Sequence, residues 1–301
     1  DAAIAAESES FDFDTGAFFV QHLGQIEAQQ CQLDGSIPAS IPYGDPNRDG
    51  VKGWADVTTC TDIGRDPSWS TVLPQVAWNV WRYYNATGAV RERWPTILKY
   101  MEYLEGKVNS TGIATTYCQW GDHQQLANTP CHLTAATTYV RDLGRVADMA
   151  AAIGDDAAAA KFAAKAKAAL GEYRSAFWND TSKTSSVGSQ AAQAMALVIG
   201  AVPEADRAGV AERLGQDLVQ NGVTVGFLGA SFLFQALSLA NRTDLAVQGL
   251  LRRAYPGYGH AIYNSFEPST SLWESWDADT MRQWVAESSR SHHFQSHIAT
   301  Y

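Results

Sequence analysis

Apolar residues recur every three or four positions along most of the chain, which is the spacing of one face of an α-helix. Phe18, Phe19, Leu23 and Ile26 show it within the segment from Phe13 to Gln32. The strict alternation typical of strands is nearly absent, so we predict an all-α chain. The other predicted helices are Thr71 to Tyr84, Val90 to Leu104, His132 to Ile153, Asp155 to Phe177, Gly188 to Ile199, Glu204 to Asn221, Gly229 to Ala240 and Thr243 to Ala254.

The predicted helices come in pairs with short hinges, such as Gly154 and Val202-Pro203. Two long connections, Leu33 to Trp69 and Glu105 to Cys131, interrupt this order, and the first is too rich in turn formers to be helical. Hairpins that alternate with longer loops on the other side are typical of a toroid of inner and outer helices. Because no fixed-length repeat is visible, a solenoid is the less favoured all-α alternative. We predict one (α/α)6 toroid over residues 1–301, with its long loops gathered at one mouth.

Composition narrows the range of partners. The 301 residues carry a formal net charge of −10, with 22 Lys and Arg against 32 Asp and Glu. The longest basic run is Arg252-Arg253, so a nucleic-acid partner is not expected. No apolar run approaches the roughly 20 residues that cross a bilayer, which predicts no membrane span. We also expect no cofactor and no metal.

The four cysteines, Cys31, Cys60, Cys118 and Cys131, lie in the first half of the chain and in loop-like stretches. This placement suits disulfides that tie long loops. Of the three possible pairings we favour Cys31 with Cys60 and Cys118 with Cys131. A zinc site is not expected, because there is no Cys-x-x-Cys spacing and His132 alone among the histidines adjoins a cysteine.

Four sequons for N-linked glycosylation occur, at Asn85, Asn109, Asn179 and Asn241. Each falls at a predicted helix end or connection, where a glycan would meet solvent. The sequons and the disulfide-like cysteines together predict a secreted, extracellular glycoprotein.

Candidate chemistry centres on Glu274, which is flanked by Trp273 and Trp276 and followed by Asp277. Indole faces cover the C–H face of a sugar ring, and a carboxylate held beside them is suited to reaction at the anomeric carbon. We therefore predict that Glu274 acts on a glycoside and that Trp273 contacts the sugar. The alternative is an amphipathic turn with both indoles in the core and the acids in water.

Several separate blocks agree, in order and spacing, with one known family. They are Val225 to Leu233, Asn241 to Ala246, Ala254 to Gly259 and Ser269 to Asp277, and Asp34-Gly-Ser-Ile-Pro agrees near the start. These blocks resemble the catalytic (α/α)6 domain of the bacterial and eukaryotic α-L-rhamnosidase family of glycoside hydrolases. The resemblance covers nearly the whole chain.

The resemblance implies roles for individual residues. It places Glu274 at the general base of an inverting displacement, Trp69 and Trp120 in the wall of the sugar pocket, and His292 in contact with the sugar. Asp1 resembles the aspartate that ends the family's Asp-x-x-x-x-Glu-Arg-Leu-Gly-Trp-x-Gly-Asp block. The general acid is then expected upstream of Asp1, and the chain as a fragment that is incomplete at both ends, with other domains of the same longer chain as partners. For Trp69 and Trp120 a role as buried loop anchors is the alternative.

Three departures from the family pattern leave two functions open. Ser-Thr follows Trp69 where the family has Gly-Asp, Cys-Gln precedes Trp120 where it has Gly-Asp, and Ser291 replaces an Asn. Asp122 is placed to substitute from the other side of Trp120, as a further sugar ligand. We predict an inverting hydrolase that releases terminal α-L-rhamnose or a similar deoxy sugar. The alternative is a secreted carbohydrate-binding or structural domain without turnover.

Overall fold

The computed structural model describes residues 2–38, 41, 66–109, 118, 120–264, 268–276 and 288–292. This part of the chain is mainly helical and has almost no sheet. Its helices are α1 (Ala2–Asp12), α2 (Gly16–Ala28), α3 (Pro67–Ser70), α4 (Val72–Tyr84), α5 (Thr87–Glu105), α6 (Cys131–Ile153), α7 (Asp156–Phe177), α8 (Gln190–Val198), α9 (Glu204–Asn221), α10 (Phe227–Leu239), α11 (Thr243–Leu251) and α12 (Tyr258–Tyr263). Two short antiparallel strands, β1 (Trp178–Asn179) and β2 (Thr184–Ser185), join α7 to α8.

The predicted all-α class is confirmed, and the long helices lie within about four residues of the predicted bounds. Local signals explain their ends. Gly154 takes a left-handed conformation, with a φ of 83°, and ends α6. Asp155 then caps α7, because its side chain accepts a hydrogen bond from the amide of Ala158 at 3.0 Å. Among the described helices, none has the length and apolar character that a membrane crossing requires.

The helices form an inner ring with an outer layer. In the inner ring α1, α4, α6, α8 and α10 each contact the next member, and α10 contacts α1 again. Helices α2, α5, α7, α9 and α11 form the outer layer, and the last four each pack on the inner helix that precedes them in the chain. One continuous apolar cluster runs between the two layers, and it includes the fully buried Phe19, Ile97, Leu133 and Leu233.

This alternation places the functional loops. Between successive inner helices the chain runs back through an outer helix. The inner helices therefore point in the same direction, and their N-terminal ends lie at one face of the ring. The segments that precede inner helices therefore converge there: α3 before α4, residues 118–130 before α6, and residues 223–226 before α10. We call this face the mouth.

A buried polar contact lies just below the mouth. Thr71, next to the start of α4, donates a hydrogen bond through Oγ1 to Oδ2 of Asp142 on α6 at 2.5 Å. Both residues are buried. Burial raises the pKa of Asp142 to about 6, against the lowering effects of Arg141, of the Thr71 hydrogen bond and of Arg145. The contact ties two inner helices together beneath the candidate site.

Candidate active site

An aromatic cluster lines the mouth. The ring of Trp69 lies 6.0 Å from that of Trp120, 6.2 Å from Phe227 and 6.3 Å from His123, each in an edge-to-face arrangement. The imidazole of His292 stacks on Phe227 at 5.7 Å with an interplanar angle of 11°. Phe227, from the first turn of α10, thus links His292 to Trp69, and Trp69 in turn contacts Trp120.

Asp66 fixes the two tryptophans relative to each other. Its Oδ2 accepts hydrogen bonds from the backbone amides of Trp120 at 3.0 Å and Gly121 at 3.3 Å, and its Oδ1 accepts from the amide of Ser68 at 3.0 Å. The indole Nε1 of Trp69 donates to the carbonyl of Gly121 at 3.0 Å. Asp66 is fully buried, so it caps α3 and holds the 118–130 loop from beneath the site.

A disulfide closes the same loop. Cys118 and Cys131 are bonded, with their Cα atoms 5.7 Å apart, as the favoured pairing predicts. Cys31 is also disulfide-bonded, but its predicted partner, Cys60, lies outside the described residues. The covalent link and the Asp66 hydrogen bonds both restrict the loop that carries Trp120.

Asp122 lies under the site. It is fully buried, and its carboxylate accepts hydrogen bonds from the amides of Gly226 at 2.9 Å and Gly229 at 2.7 Å, at the start of α10. The amide of Phe227 donates to the carbonyl of His123 at 3.0 Å, so the loop docks directly on this helix. Burial raises the pKa of Asp122 to about 6, although the backbone hydrogen bonds lower it. This geometry makes Asp122 a positioning residue, and the sugar contact predicted for it stays a prediction.

Glu274 lies on a segment that is hydrogen-bonded to residues 288–292. Its amide donates to the carbonyl of Ser289 at 3.0 Å, and the amide of Ser289 donates to Oε2 of Glu274 at 2.7 Å. The amide of His292 donates to the carbonyl of Leu272 at 2.7 Å, which extends the pairing. Glu274 is half-buried. The segment therefore holds the carboxylate in one direction and leaves it accessible to solvent.

The two indoles that flank Glu274 in sequence are buried. Trp276 belongs to the main apolar cluster, and its Nε1 donates to the carbonyl of Val225 at 2.8 Å. Trp273 is 5% exposed and packs against Ala261. Both indoles are thus in the interior, as the alternative expects, whereas Glu274 is half-buried and hydrogen-bonded. The accessible indoles of the site are those of Trp69, which is half-buried, and Trp120, which is 37% exposed.

His123 brings a titratable group beside the carboxylate. It is exposed, and its ring lies 5.5 Å from Phe227 as well as 6.3 Å from Trp69. Partial burial lowers the pKa of His123, and the negative charge of Glu274 opposes that shift. The influence of Glu274 on His123 connects the carboxylate with the aromatic cluster.

Sequence reasoning missed three residues of this site. Phe227 follows a glycine in one of the family-like blocks, and Asp66 precedes Pro67 as a helix N-cap often does, so both had a local signal. His123 had only its closeness to Trp120. Two residues singled out from the sequence, Asp1 and Asp277, lie outside the described residues, so their place relative to the site stays a prediction.

The whole chain, residues 1–301, matches the family described as the bacterial alpha-L-rhamnosidase 6 hairpin glycosidase domain. An α-L-rhamnosidase of Streptomyces avermitilis is 24% identical over 283 residues, which cover 92% of this chain and 25% of that protein. Proteins of this family are thus similar to the chain along nearly its full length.

Solved structures agree in fold. An α-L-rhamnosidase from Dictyoglumus thermophilum gives a TM-score of 0.84 at 23% identity and covers 99% of this chain and 32% of that chain. The Streptomyces avermitilis α-L-rhamnosidase, crystallised with L-rhamnose, gives 0.82 at 22% identity and covers 99% of this chain and 27% of that chain. These identities establish a shared fold. The chain spans about a quarter to a third of the length of these relatives.

Proposed function

The chain belongs to the bacterial α-L-rhamnosidase 6 hairpin glycosidase family, and on that premise we propose that it is the sugar-cleaving domain of a glycoside hydrolase. The substrate is a glycan or glycoside that carries terminal α-L-rhamnose or a similar deoxy sugar. The observation that carries the proposal is a half-buried carboxylate, Glu274, held by the Ser289 amide beside an aromatic cluster at the mouth of the ring. Other domains of the same longer chain are its expected partners.

Glu274 acts as the general base. Its Oε2 accepts the hydrogen bond from Ser289, so Oε1 is the oxygen that takes the proton from the attacking water. A carboxylate needs a fixed direction for this role, and the hydrogen bond from the Ser289 amide supplies it. The indoles of Trp69 and Trp120 cover the apolar face of the sugar, and His292 contacts one of its hydroxyl groups.

Inversion of configuration requires a second, protonated carboxyl group. The two groups stand roughly 6.5–9.5 Å apart in inverting glycosidases, which leaves room for the water. NMR of the first-formed product tests the stereochemistry. We expect β-L-rhamnose from an α-linked substrate, and an α product would contradict inversion.

The decisive variant is Glu274→Gln in the full-length gene product. Glutamine keeps an acceptor for the Ser289 amide and removes the basic carboxylate, so the fold persists while proton transfer is lost. We expect the release of rhamnose from an aryl α-L-rhamnoside to fall roughly 10²- to 10⁴-fold. Binding of L-rhamnose, followed by calorimetry, serves as the control and is expected to persist. An unchanged rate would remove Glu274 as the base.

A second function, a carbohydrate-binding domain without turnover, is supported by one observation. The carboxylate of Asp122, the nearest substitute for the acid missing before Trp120, is engaged by two backbone amides. A protein of this kind binds L-rhamnose yet releases none from any aryl rhamnoside. Measuring binding and release on the same sample separates the two functions.

Secretion and N-glycosylation belong to the same proposal. Asn85, Asn109, Asn179 and Asn241 are all exposed, which an oligosaccharide transferred to them requires. Protein isolated from its native source is expected to lose mass when an N-glycan-cleaving amidase is added. An unchanged mass would contradict glycosylation at these sites.

A further inference from the structure

His123 is the polar side chain of the aromatic cluster for which neither the sequence nor the family resemblance provides a role. Its backbone carbonyl accepts the hydrogen bond from the Phe227 amide, so the docking of the loop on α10 is carried by the main chain. Within the described residues no hydrogen bond joins its imidazole nitrogens to another group, and the residue is exposed at the mouth. The backbone contact thus fixes the position of the His123 residue, and within the described residues its two ring nitrogens form no hydrogen bond.

The ring is held in direction by its neighbours. It meets Trp69 at 6.3 Å with an interplanar angle of 77° and Phe227 at 5.5 Å with an angle of 69°. Both contacts are with aromatic rings, which restrict the rotation of an imidazole but do not satisfy its nitrogens. The charge of Glu274 acts on the same ring. A ligand that lies on Trp69 beside Glu274 therefore meets these nitrogens.

A sugar in this position requires polar partners for its hydroxyl groups, because an unpaired hydroxyl loses its hydrogen bonds to water on binding. The residue after Ser70 is Thr71, whose hydroxyl is directed to Asp142, and the carboxylate of Asp122 is occupied by α10. These positions do not supply the carboxylates that the family pattern has there. A neutral imidazole offers both a donor and an acceptor to a hydroxyl group.

We propose that His123 is a substrate-contacting residue, whose imidazole forms a hydrogen bond with a hydroxyl group of the deoxy sugar bound between Trp69 and Glu274. The assignment rests on the proposed function and deepens it. His123 and His292 both pack against Phe227, so both imidazoles belong to the aromatic cluster that lines this site. This chain thereby replaces part of an acidic sugar site with a site based on histidine.

The test compares His123→Phe with His123→Gln in the full-length gene product. Phenylalanine preserves the edge contacts with Trp69 and Phe227 but has no polar atom, whereas glutamine restores a donor and an acceptor. We expect His123→Phe to weaken the binding of L-rhamnose about tenfold, as the loss of one hydrogen bond implies, and His123→Gln to recover most of it. Binding is measured by calorimetry, and KM for an aryl α-L-rhamnoside should rise more than kcat falls.

His132 provides the matched control. It is also exposed and also packs on an aromatic ring, that of Phe177 at 5.6 Å, on the first turn of α6. We expect His132→Phe to bind L-rhamnose as the wild type does, and the melting temperatures of all three variants to agree with the wild type. Equal affinity of wild type and His123→Phe would overturn the role of His123 alone. A wild-type protein that neither binds L-rhamnose nor cleaves the rhamnoside would overturn the proposed function, and the assignment of His123 with it.

Discussion

Trp120 and Trp276 have the same side chain but different surroundings near the mouth. Trp120 is 37% exposed and touches Trp69, whereas Trp276 is 5% exposed and donates to the carbonyl of Val225. An exposed indole is available to a ligand, while a buried one with a paired N–H contributes to stability. Substitutions at these two positions should therefore affect different properties of the protein.

We expect Trp120→Ala to weaken sugar binding about tenfold, because a stacking surface is lost, and to change the free energy of unfolding by less than about 1 kcal/mol. Trp276→Phe should leave the carbonyl of Val225 unpaired and lower the free energy of unfolding by about 1–3 kcal/mol. Calorimetry with L-rhamnose and urea unfolding measure the two effects. Equal losses of stability in both variants would contradict the separation.

The loop of residues 118–130 and the start of α10 act as one structural element. The Cys118–Cys131 disulfide, the Asp66 carboxylate and the Asp122 carboxylate restrict the loop at three places. Gly226 lets the loop approach the helix, since a Cβ atom there would lie 2.1 Å from the carbonyl oxygen of His123. This is far inside van der Waals contact, and the atom it meets is backbone. The position of the loop that carries His123 and Trp120 therefore depends on the absence of a side chain at Gly226.

Gly226→Ala should force the loop away from α10. We expect a loss of about 1–3 kcal/mol in the free energy of unfolding, together with weaker sugar binding, because the hydrogen bond from the Phe227 amide is strained or broken. The matched control is Gly144→Ala inside α6, where an added Cβ meets no heavy atom within 4 Å. That change should stabilise the protein by about 0.5–1 kcal/mol. Thermal and urea unfolding decide the comparison, and similar behaviour of both variants would contradict it.

On the scale of the molecule, a closed ring of parallel inner helices brings buried carboxylates under the mouth. Asp122 and Asp142 are both fully buried, and burial raises the pKa of each to about 6. A folded chain then keeps a proton on each group up to about pH 6, whereas an unfolded aspartate loses it near pH 4. Because the folded state binds more protons in this window, its stability falls as the pH rises from about 4 to about 6.

Asp142→Asn should reduce this dependence on pH. Asparagine keeps an oxygen that accepts the Thr71 hydrogen bond, but it does not titrate. We expect the wild type to lose more stability between pH 4.5 and pH 6.5 than the variant does, when both are unfolded with urea at each pH. A variant whose stability changes with pH as steeply as the wild type would show that Asp142 keeps an ordinary pKa in the folded state.

The spacing of apolar residues by itself determined the helices and their pairing. A helix depends on residues three and four positions apart, and its ends depend on caps such as Gly154 and Asp155, so both are readable locally. Glu204–Asn221 was predicted without error for this reason. The family resemblance was readable as well, because it depends on residue types in a fixed order, whereas the Cys118–Cys131 pairing was one of three that the sequence allows.

Only the tertiary structure decided which side chains form the site. Trp273 and Trp276 flank Glu274 in sequence but are buried. The indoles available to a ligand are those of Trp69, in α3, and Trp120, in the loop before α6. Asp66 meets Trp120 across 54 residues, and Asp122 meets Gly226 across 104. Such contacts depend on how the ring closes rather than on local spacing, so the spacing of residues along the chain could not assign His123 to the site.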